Sequence, residues 1–179
     1  TKPSNEELER QRQERFDYMP KFSIVIPVYK TPERYLKEML DSILAQTYAK
    51  WEVCVADGSP RGESVERVLR RYAEKDRRFK YVILGENKGI SGNTNAAIDM
   101  ADGDFIVLAD HDDMMTPDAL YECAKKINEN PECDVLYSDE DKLDMDGGAL
   151  FDPHFKPDFN IDLLRSVNYI CHLFVVSHE

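Results

Sequence analysis

The sequence predicts an α/β fold, a mostly parallel central sheet with helices on both faces. Three observations predict it. Short apolar runs alternate with amphipathic stretches from Lys21 to Tyr137, the pattern of parallel strands joined by crossover helices. The run Phe105 to Ala109 is apolar at every position, as suits a strand buried on both faces. The strands of the first half end in polar, acidic or glycine-bearing residues, and open α/β sheets bind ligands at their carboxyl ends.

Residues 1–20 are polar and charge-rich, a solvated helix or linker closed by Tyr18-Met19-Pro20. Residues 21–28 form the first strand, and Pro27, lacking an N–H, marks where its ladder ends. Thr31-Pro32 opens a helix whose Tyr35, Leu36, Met39, Leu40, Ile43 and Leu44 recur at helical spacing. Residues 51–56 form the second strand, stopped by Asp57-Gly58-Ser59-Pro60. The next helix runs to about Asp76 with Val65, Val68, Leu69 and Tyr72 inward. Residues 79–84 are a third strand, 85–92 a loop and 93–101 a short helix. After the strand at 105–109, Thr116 and Pro117 supply an N-cap and a first-turn proline. Ala119, Leu120, Cys123, Ala124 and Ile127 line the helix that follows, and 134–137 is a further strand. Beyond Ser138 the pattern weakens. An acidic cluster at 139–142, a turn at Gly147-Gly148 and an aromatic, proline-punctuated loop at 151–160 precede a short helix near 160–167 and a strand at 169–176.

A chain of 179 residues with 42% hydrophobic and 32% charged residues suits one domain with a real core. Its net charge of −12 argues against nucleic acid and anionic membranes as electrostatic partners. A phosphorylated ligand remains compatible if a cation reverses the local field. Cys54, Cys123, Cys133 and Cys171 have neither CxxC nor metal-type spacing. Buried free thiols and a reducing cytoplasm are the expectation. No stretch is long enough to span a bilayer. A chain running from Thr1 to Glu179 reads as an excerpt of something longer, so a membrane anchor elsewhere stays open.

The strand at 105–109 breaks into Asp110, Asp112 and Asp113. Like charges that close repel unless a proton or a cation intervenes. Oxygen ligands suit Mg²⁺ or Mn²⁺, whose shells substrate phosphates often complete. An acidic, solvated loop is the bland reading, less favoured directly after a buried strand. Tyr29, after strand one, is placed to pack on a planar base. Asp57 is placed to accept the imide N–H of uracil or thymine, with Gly58 admitting the ligand to the backbone; a simple Asx-turn is the competing reading. Asn87, Gly89 and Asn93 lie in a segment of amides, hydroxyls and two glycines at a helix start, which suits a phosphate or sugar. Lys88 precedes the glycines, so this is not a Walker loop.

Four segments together resemble the family 2 glycosyltransferases. They are Ser23-Ile-Val-Ile-Pro-Val-Tyr29, Ala56-Asp-Gly-Ser59, Asn87-Lys-Gly-Ile-Ser-Gly-Asn-Thr-Asn-Ala-Ala97, and Asp110-His-Asp-Asp113 with Thr116-Pro-Asp-Ala-Leu120. Tyr137-Ser-Asp-Glu-Asp-Lys142 and Phe151-Asp-Pro-His-Phe-Lys-Pro157 resemble the rhamnosyl and polysaccharide-assembly branch. The resemblance runs from about Lys21 to the end. It implies a GT-A fold with an incomplete C-terminal acceptor part. Residues 1–20 would be a polar N-terminal segment, 21–138 the nucleotide-sugar-binding domain and 139–179 the start of the acceptor-binding part.

By the same resemblance the activity is inverting, metal-assisted transfer from a UDP- or dTDP-type donor to a saccharide or lipid-linked saccharide. Pro27, Tyr29 and Asp57 would hold the base. Asp110, His111 and Asp112 would face the sugar and diphosphate, with Asp110 and Asp112 holding Mn²⁺ or Mg²⁺ and Asp112 nearest the ion. The location implied is cytoplasmic, at the inner membrane face only through segments outside this chain. Ala56 stands where the family usually has a second aspartate. The general base would lie past Glu179, so Asp139, Glu140 and Asp141 are not assigned that role. His154 and His172 are candidates for the sugar or acceptor side, against a satisfied loop or core histidine. A non-catalytic nucleotide-sugar-binding module is the alternative. A nucleotidyltransferase is disfavoured, because residues 28–32 are not the basic, glycine-rich loop a triphosphate needs.

Overall fold

A computed structural model describes residues 3–144 and 149–178. The turn expected at Gly147-Gly148 lies outside them. In chain order the elements are α1 (Asn5–Gln13), β1 (Phe22–Val28), α2 (Glu33–Leu44), β2 (Trp51–Asp57), α3 (Ser64–Lys75), β3 (Phe79–Ile83) and α4 (Gly89–Ile98). They continue with β4 (Phe105–Leu108), α5 (Ala119–Glu129), β5 (Val135–Tyr137), β6 (Glu140–Leu143), β7 (Leu150–His154), α6 (Ile161–Ser166) and β8 (Phe174–Ser177).

The main sheet has six strands in the order β3-β2-β1-β4-β8-β5. β3, β2, β1 and β4 are parallel, as predicted. β8 runs antiparallel to both β4 and β5. The last strand of the chain therefore inserts between two strands that local alternation makes neighbours. Apolar residues divide by period two between the faces. Phe22, Ile24, Ile26, Val28, Val53, Val55 and Val107 join α2, α3 and α5 in the larger core. Val25, Cys54, Ala56 and Ile106 meet Ala97 of α4 on the other face. Helices on both faces are thus confirmed.

Several local expectations shift. α4 starts four residues earlier than predicted, because side-chain amides satisfy its first N–H groups. α5 starts at Ala119 after Asp118, not on a Thr116 cap; the Asp118 side chain does not cap it, and Gln46 Oε1 accepts from the Leu120 amide (3.0 Å) instead. The 151–160 segment is partly strand: β7 pairs with β6 in a hairpin, Lys142 opposite Phe151 and Leu143 opposite Leu150. Of the final strand predicted at 169–176, only the last three residues enter the sheet, as part of β8 (Phe174–Ser177). Cys171 accordingly lies exposed in a loop, while Cys54 is buried; all four thiols are free. α1 docks rather than floating in solvent. Gln11 is buried and its Oε1 accepts a hydrogen bond from Thr47 (2.9 Å), and Phe16 packs on the Tyr48 and Tyr121 rings.

The amino ends of the strands are locked by Glu52, 2% exposed. Its Oε1 accepts from Ser23 Oγ (2.8 Å) and the Asp102 amide (2.9 Å). Its Oε2 lies 2.6 Å from Lys21 Nζ and 2.9 Å from Lys80 Nζ, and both lysines also reach Asp102. One carboxylate thus ties β1, β2, β3 and the turn into β4. That turn needs glycine: a Cβ on Gly103 would sit 2.6 Å from Ser23 Oγ and 2.7 Å from Lys21 O.

Burial works to raise the Glu52 carboxyl, but hydrogen bonds from Lys21, Lys80, the Asp102 amide and Ser23 outweigh it and hold it below the ordinary range. Lys21 and then Lys80 lower Asp102 to about 2. Depressed carboxyls add stability that is complete above their unfolded pKa values and lost as pH falls through the folded ones. The melting temperature of the wild type should therefore fall between about pH 4 and pH 2. Glu52→Gln should cost about 2 kcal/mol at neutral pH and flatten that acid limb. Calorimetric melts from pH 7 to 2 check both; parallel profiles would remove the locking role from Glu52.

Candidate functional site

The chain passes from β1 to β2 on one side, then from β3 back to β4 on the other. The switch point of the sheet is therefore between β1 and β4. The β1–β2 ladder runs on to Val28 opposite Asp57, while the β1–β4 ladder ends at Val25 opposite Leu108. The N–H and C=O of one strand residue point the same way. The carbonyls of Lys21 and Val25 accept from Phe105 and Ala109, whereas that of Val28 accepts from Gly58. Pro27 has the parity of Val25, so its missing N–H falls on the β4 side. The sequence expectation that Pro27 ends the ladder holds on that side only. Beyond it the two strands lose their cross-links, leaving a crevice between residues 27–29 and 109–113.

At the end of β2, Asp57 is fully buried. Its Oδ1 accepts from the Ser59 amide (2.8 Å), the Asx-turn, while its Oδ2 has no hydrogen-bond partner among the described residues. Both readings of this aspartate therefore keep their footing, one on each oxygen. A donor at Oδ2 removes a cost of about 1–3 kcal/mol. Tyr29 is 42% exposed, with Lys30 Nζ 5.3 Å from its ring centre. The Lys30 amide donates to Ser59 Oγ (2.8 Å), which joins the β1 and β2 ends.

Asn87, Gly89 and Asn93 are brought together, chiefly to serve one another. Asn87 Oδ1 accepts from the Gly89 amide (3.0 Å) and from Asn93 Nδ2 (3.1 Å), and Asn93 Oδ1 accepts from the Lys88 amide (3.1 Å). These amides start α4 early. Their network rests against Gly58, where a Cβ would lie 2.8 Å from Asn93 Nδ2 and 3.1 Å from Asn87 Cα.

The acids after β4 separate. Asp110 Oδ2 lies 3.1 Å from His172 Nε2. Donor atoms of Asp110, Asp113 and His172 fall within 4.8 Å of one another, a spacing that could hold a metal ion. Asp112 stands outside this group with its side chain 57% exposed, 3.9 Å from His111 Nδ1. The expected Asp110–Asp112 pair is thus not the one brought together here: the loop groups Asp110 with Asp113 and a histidine 62 positions later in the chain. His172 hydrogen bonding holds the Asp110 carboxyl below its ordinary range, and the same contact raises the imidazole. Asp113 is an exposed residue, but crowding of its carboxyl by neighbouring groups raises it, and Asp110, Asp112 and Glu140 reinforce this against His172.

His172 reaches this place because the β6–β7 segment grips its loop. The Lys156 side chain is 1% exposed. Its Nζ donates to Ile170 O (2.6 Å) and to His172 O, and lies 3.2 Å from Glu140 Oε2. Glu140 also takes His154 Nδ1 at 3.2 Å. The second flagged histidine therefore buttresses the hairpin. Lys156 escaped sequence reasoning; its one signal was a lysine between an aromatic residue and a proline.

A mostly parallel sheet with its switch point between β1 and β4, a buried acid at the end of β2 and a carboxylate cluster after β4 defines a nucleotide-diphospho-sugar transferase fold of GT-A type. The sequence profile of Glycosyl transferase family 2 matches residues 23–175. The chain belongs to that family.

It is 46% identical over 154 residues to protein y4gI of Sinorhizobium fredii, covering 86% of this chain and 17% of the relative. It is 36% identical over 165 residues to the O-antigen biosynthesis protein RfbC of Myxococcus xanthus, covering 92% and 13%. The chain thus spans less than two thirds of the length of these relatives. Among solved structures, S. aureus TarS in complex with UDP superposes with a TM-score of 0.59 at 31% identity, covering 65% of this chain and 34% of that one. The mannosyltransferase PcManGT of Pyrobaculum calidifontis, in complex with GDP-Man and Mn²⁺, gives 0.57 at 25% identity, covering 73% and 40%.

Gly58→Ala should destabilise the chain by about 1–3 kcal/mol, the range for overpacking. In an Asn93→Ala background the clashing amide is gone, so the same substitution should cost clearly less. Urea unfolding of the four proteins checks this; additive losses would mean that the α4 network does not rest on Gly58.

Proposed function

We propose that this chain is the donor-binding part of an inverting glycosyltransferase that takes a UDP- or dTDP-type sugar and glycosylates a saccharide or lipid-linked saccharide. The observation that carries the reading is the fully buried Asp57 at the end of β2, whose Oδ2 has no hydrogen-bond partner among the described residues, at the same carboxyl edge of the sheet as the Asp110 cluster after β4. Family membership and the UDP complex of TarS support it. Asp57 accepts the imide N–H of the base, Tyr29 packs on the ring, and Pro27 keeps the crevice free of a strand ladder. Asn87, Gly89 and Asn93 present the start of α4 to the donor.

The two carboxylates of the donor set fit a divalent cation, Mn²⁺ or Mg²⁺. Asp110 and His172 would hold it, with Asp112 or Asp113 as the further carboxylate. When bound, the cation supplies charge neutralisation at the diphosphate. The acceptor oxygen bonds to the anomeric carbon as the sugar–phosphate bond breaks and the nucleoside diphosphate departs. The acceptor proton goes to the acid that the family resemblance places after this segment. Asp139 and Glu140 are otherwise engaged, accepting from the Lys156 amide (2.8 Å) and holding Lys156 Nζ (3.2 Å). The location follows the resemblance as well: cytoplasmic, with any contact at the inner membrane face made only through segments outside this chain. No helix among the described residues is long and apolar enough to cross one.

Asp57→Asn keeps an oxygen for the Asx-turn and replaces the imide acceptor with a donor. UDP and dTDP binding should weaken by about 1.5–3 kcal/mol, the range for a charge-assisted hydrogen bond. CDP lacks the imide N–H and should bind the wild type poorly. Calorimetry that finds CDP as tight as UDP removes Asp57 from base recognition.

Mn²⁺ with UDP should raise the melting temperature by about 5–10 °C at saturating concentrations, well beyond either alone. Asp110→Asn should abolish this joint effect. Loss in Asp112→Asn assigns the third ligand to the Asp-x-Asp pair, and loss in Asp113→Asn assigns it to the clustered acid. An unchanged joint shift in all three variants returns the loop to a solvated acidic turn.

A further inference from the structure

We propose that Lys156, with Glu140, is a positioning device for His172, setting the imidazole against Asp110 from behind through the backbone. The proposal rests on the assignment of the Asp110–His172 site above, and it names residues that the family motifs leave without a role. A lysine whose side chain is 1% exposed needs a reason to be buried, since removing an ammonium from water is costly unless every proton is used. All three donors of Lys156 are used within one small volume. They reach Ile170 O at 2.6 Å, His172 O, and Glu140 Oε2 at 3.2 Å.

Two of these acceptors are carbonyls of the loop that carries His172. The His172 amide also points back to Glu140 Oε2, at 3.4 Å. Both backbone polar groups of His172 thus converge on the same ion pair. On either side the loop is pinned again. Ser138 Oγ accepts from the Leu173 amide (3.3 Å), and the Ser138 amide donates to Leu173 O (3.2 Å). Tyr169 Oη accepts from the Asn160 amide (2.9 Å).

This loop is irregular backbone between α6 and β8, with Cys171 at φ 42°, so no helix or sheet ladder fixes His172. Among the described residues its ring contributes a single ion-pair contact, the 3.1 Å approach to Asp110. The fixed geometry therefore comes from behind. Lys156 arrives there because Asp139 Oδ1 accepts its amide (2.8 Å) and Tyr137 Oη donates to Pro157 O (2.7 Å). The β6–β7 segment is, on this reading, a brace for the cation site. Glu140 serves as the counter-ion of the brace, not as a proton acceptor in the reaction.

The test uses the chain with ¹⁵N-labelled histidine, without metal, and then a Mn²⁺ titration in the presence of UDP. In the wild type the Nε2–H of His172, identified by its absence in His172→Ala, should give a hydrogen-bonded, exchange-protected resonance. Lys156→Met should lose it while melting cooperatively. If Lys156→Met does not fold, Glu140→Gln carries the test with the same expectation. An unchanged resonance in the folded variants overturns the proposal.

By electron paramagnetic resonance, Lys156→Met and His172→Ala should each weaken Mn²⁺ about tenfold. The double variant should be no weaker than His172→Ala alone, because one residue acts through the other. Additive losses overturn the proposal. Should His172→Ala bind Mn²⁺ like the wild type, the metal assignment falls, and the ring resonance alone then decides whether Lys156 positions His172.

Discussion

The parting of β1 from β4 is the constraint on which the site depends. Parallel strands that stay hydrogen-bonded to their ends leave no room for a ligand between them. Here the β1–β4 ladder stops at Val25 and Leu108, and the next inward-facing position on that side is a proline with no N–H to offer. The β2 side of the same strand continues to Asp57. One edge of β1 thus stays paired to its end while the other opens the crevice. This asymmetry is written in a single residue that affects one neighbour and spares the other.

An open carboxyl end requires a closed amino end. Glu52 supplies it by gathering two lysines, a serine hydroxyl and a turn amide around one buried carboxylate. The cluster is expensive to desolvate, yet the lysine heads remain partly in water and the acid has its oxygens filled. Its geometry ties β1, β2 and β3 at one end, and their registers bring Val28, Asp57 and Ile83 opposite one another at the other. Gly103 and Gly58 mark the two places, one at each end, where main chain or side-chain amide passes too close for a Cβ.

The acidic cluster shows how a protein of net charge −12 keeps three carboxylates together. Asp112 is left in solvent, where repulsion is screened. Asp110 is matched by His172, and Asp113 sits with a raised pKa. The histidine comes from a part of the chain with little regular structure, held by a buried lysine. Charge balance at the site is therefore tertiary, assembled across the sheet from β4, β6–β7 and the loop before β8.

What the sequence determined alone was the set of local decisions. Period-two and helical spacing of apolar residues located β1 to β4 and α2, α3 and α5 within a few residues, because each such face must be buried whatever its partner. Pro27, Asp57-Gly58 and the acids after Phe105–Leu108 were visible because unusual residues at strand ends have few purely structural explanations. The tertiary structure decided the rest. Only strand order shows that β8 inserts antiparallel between β4 and β5, since pairing depends on long-range closure and leaves no local trace. Only side-chain geometry shows that Asp113 and His172, rather than Asp112, gather with Asp110. The same is true of Lys156, buried by carbonyls 14 and 16 residues away. A lysine in a sequence looks solvated; its burial is decided by acceptors that reach it only once the chain has folded.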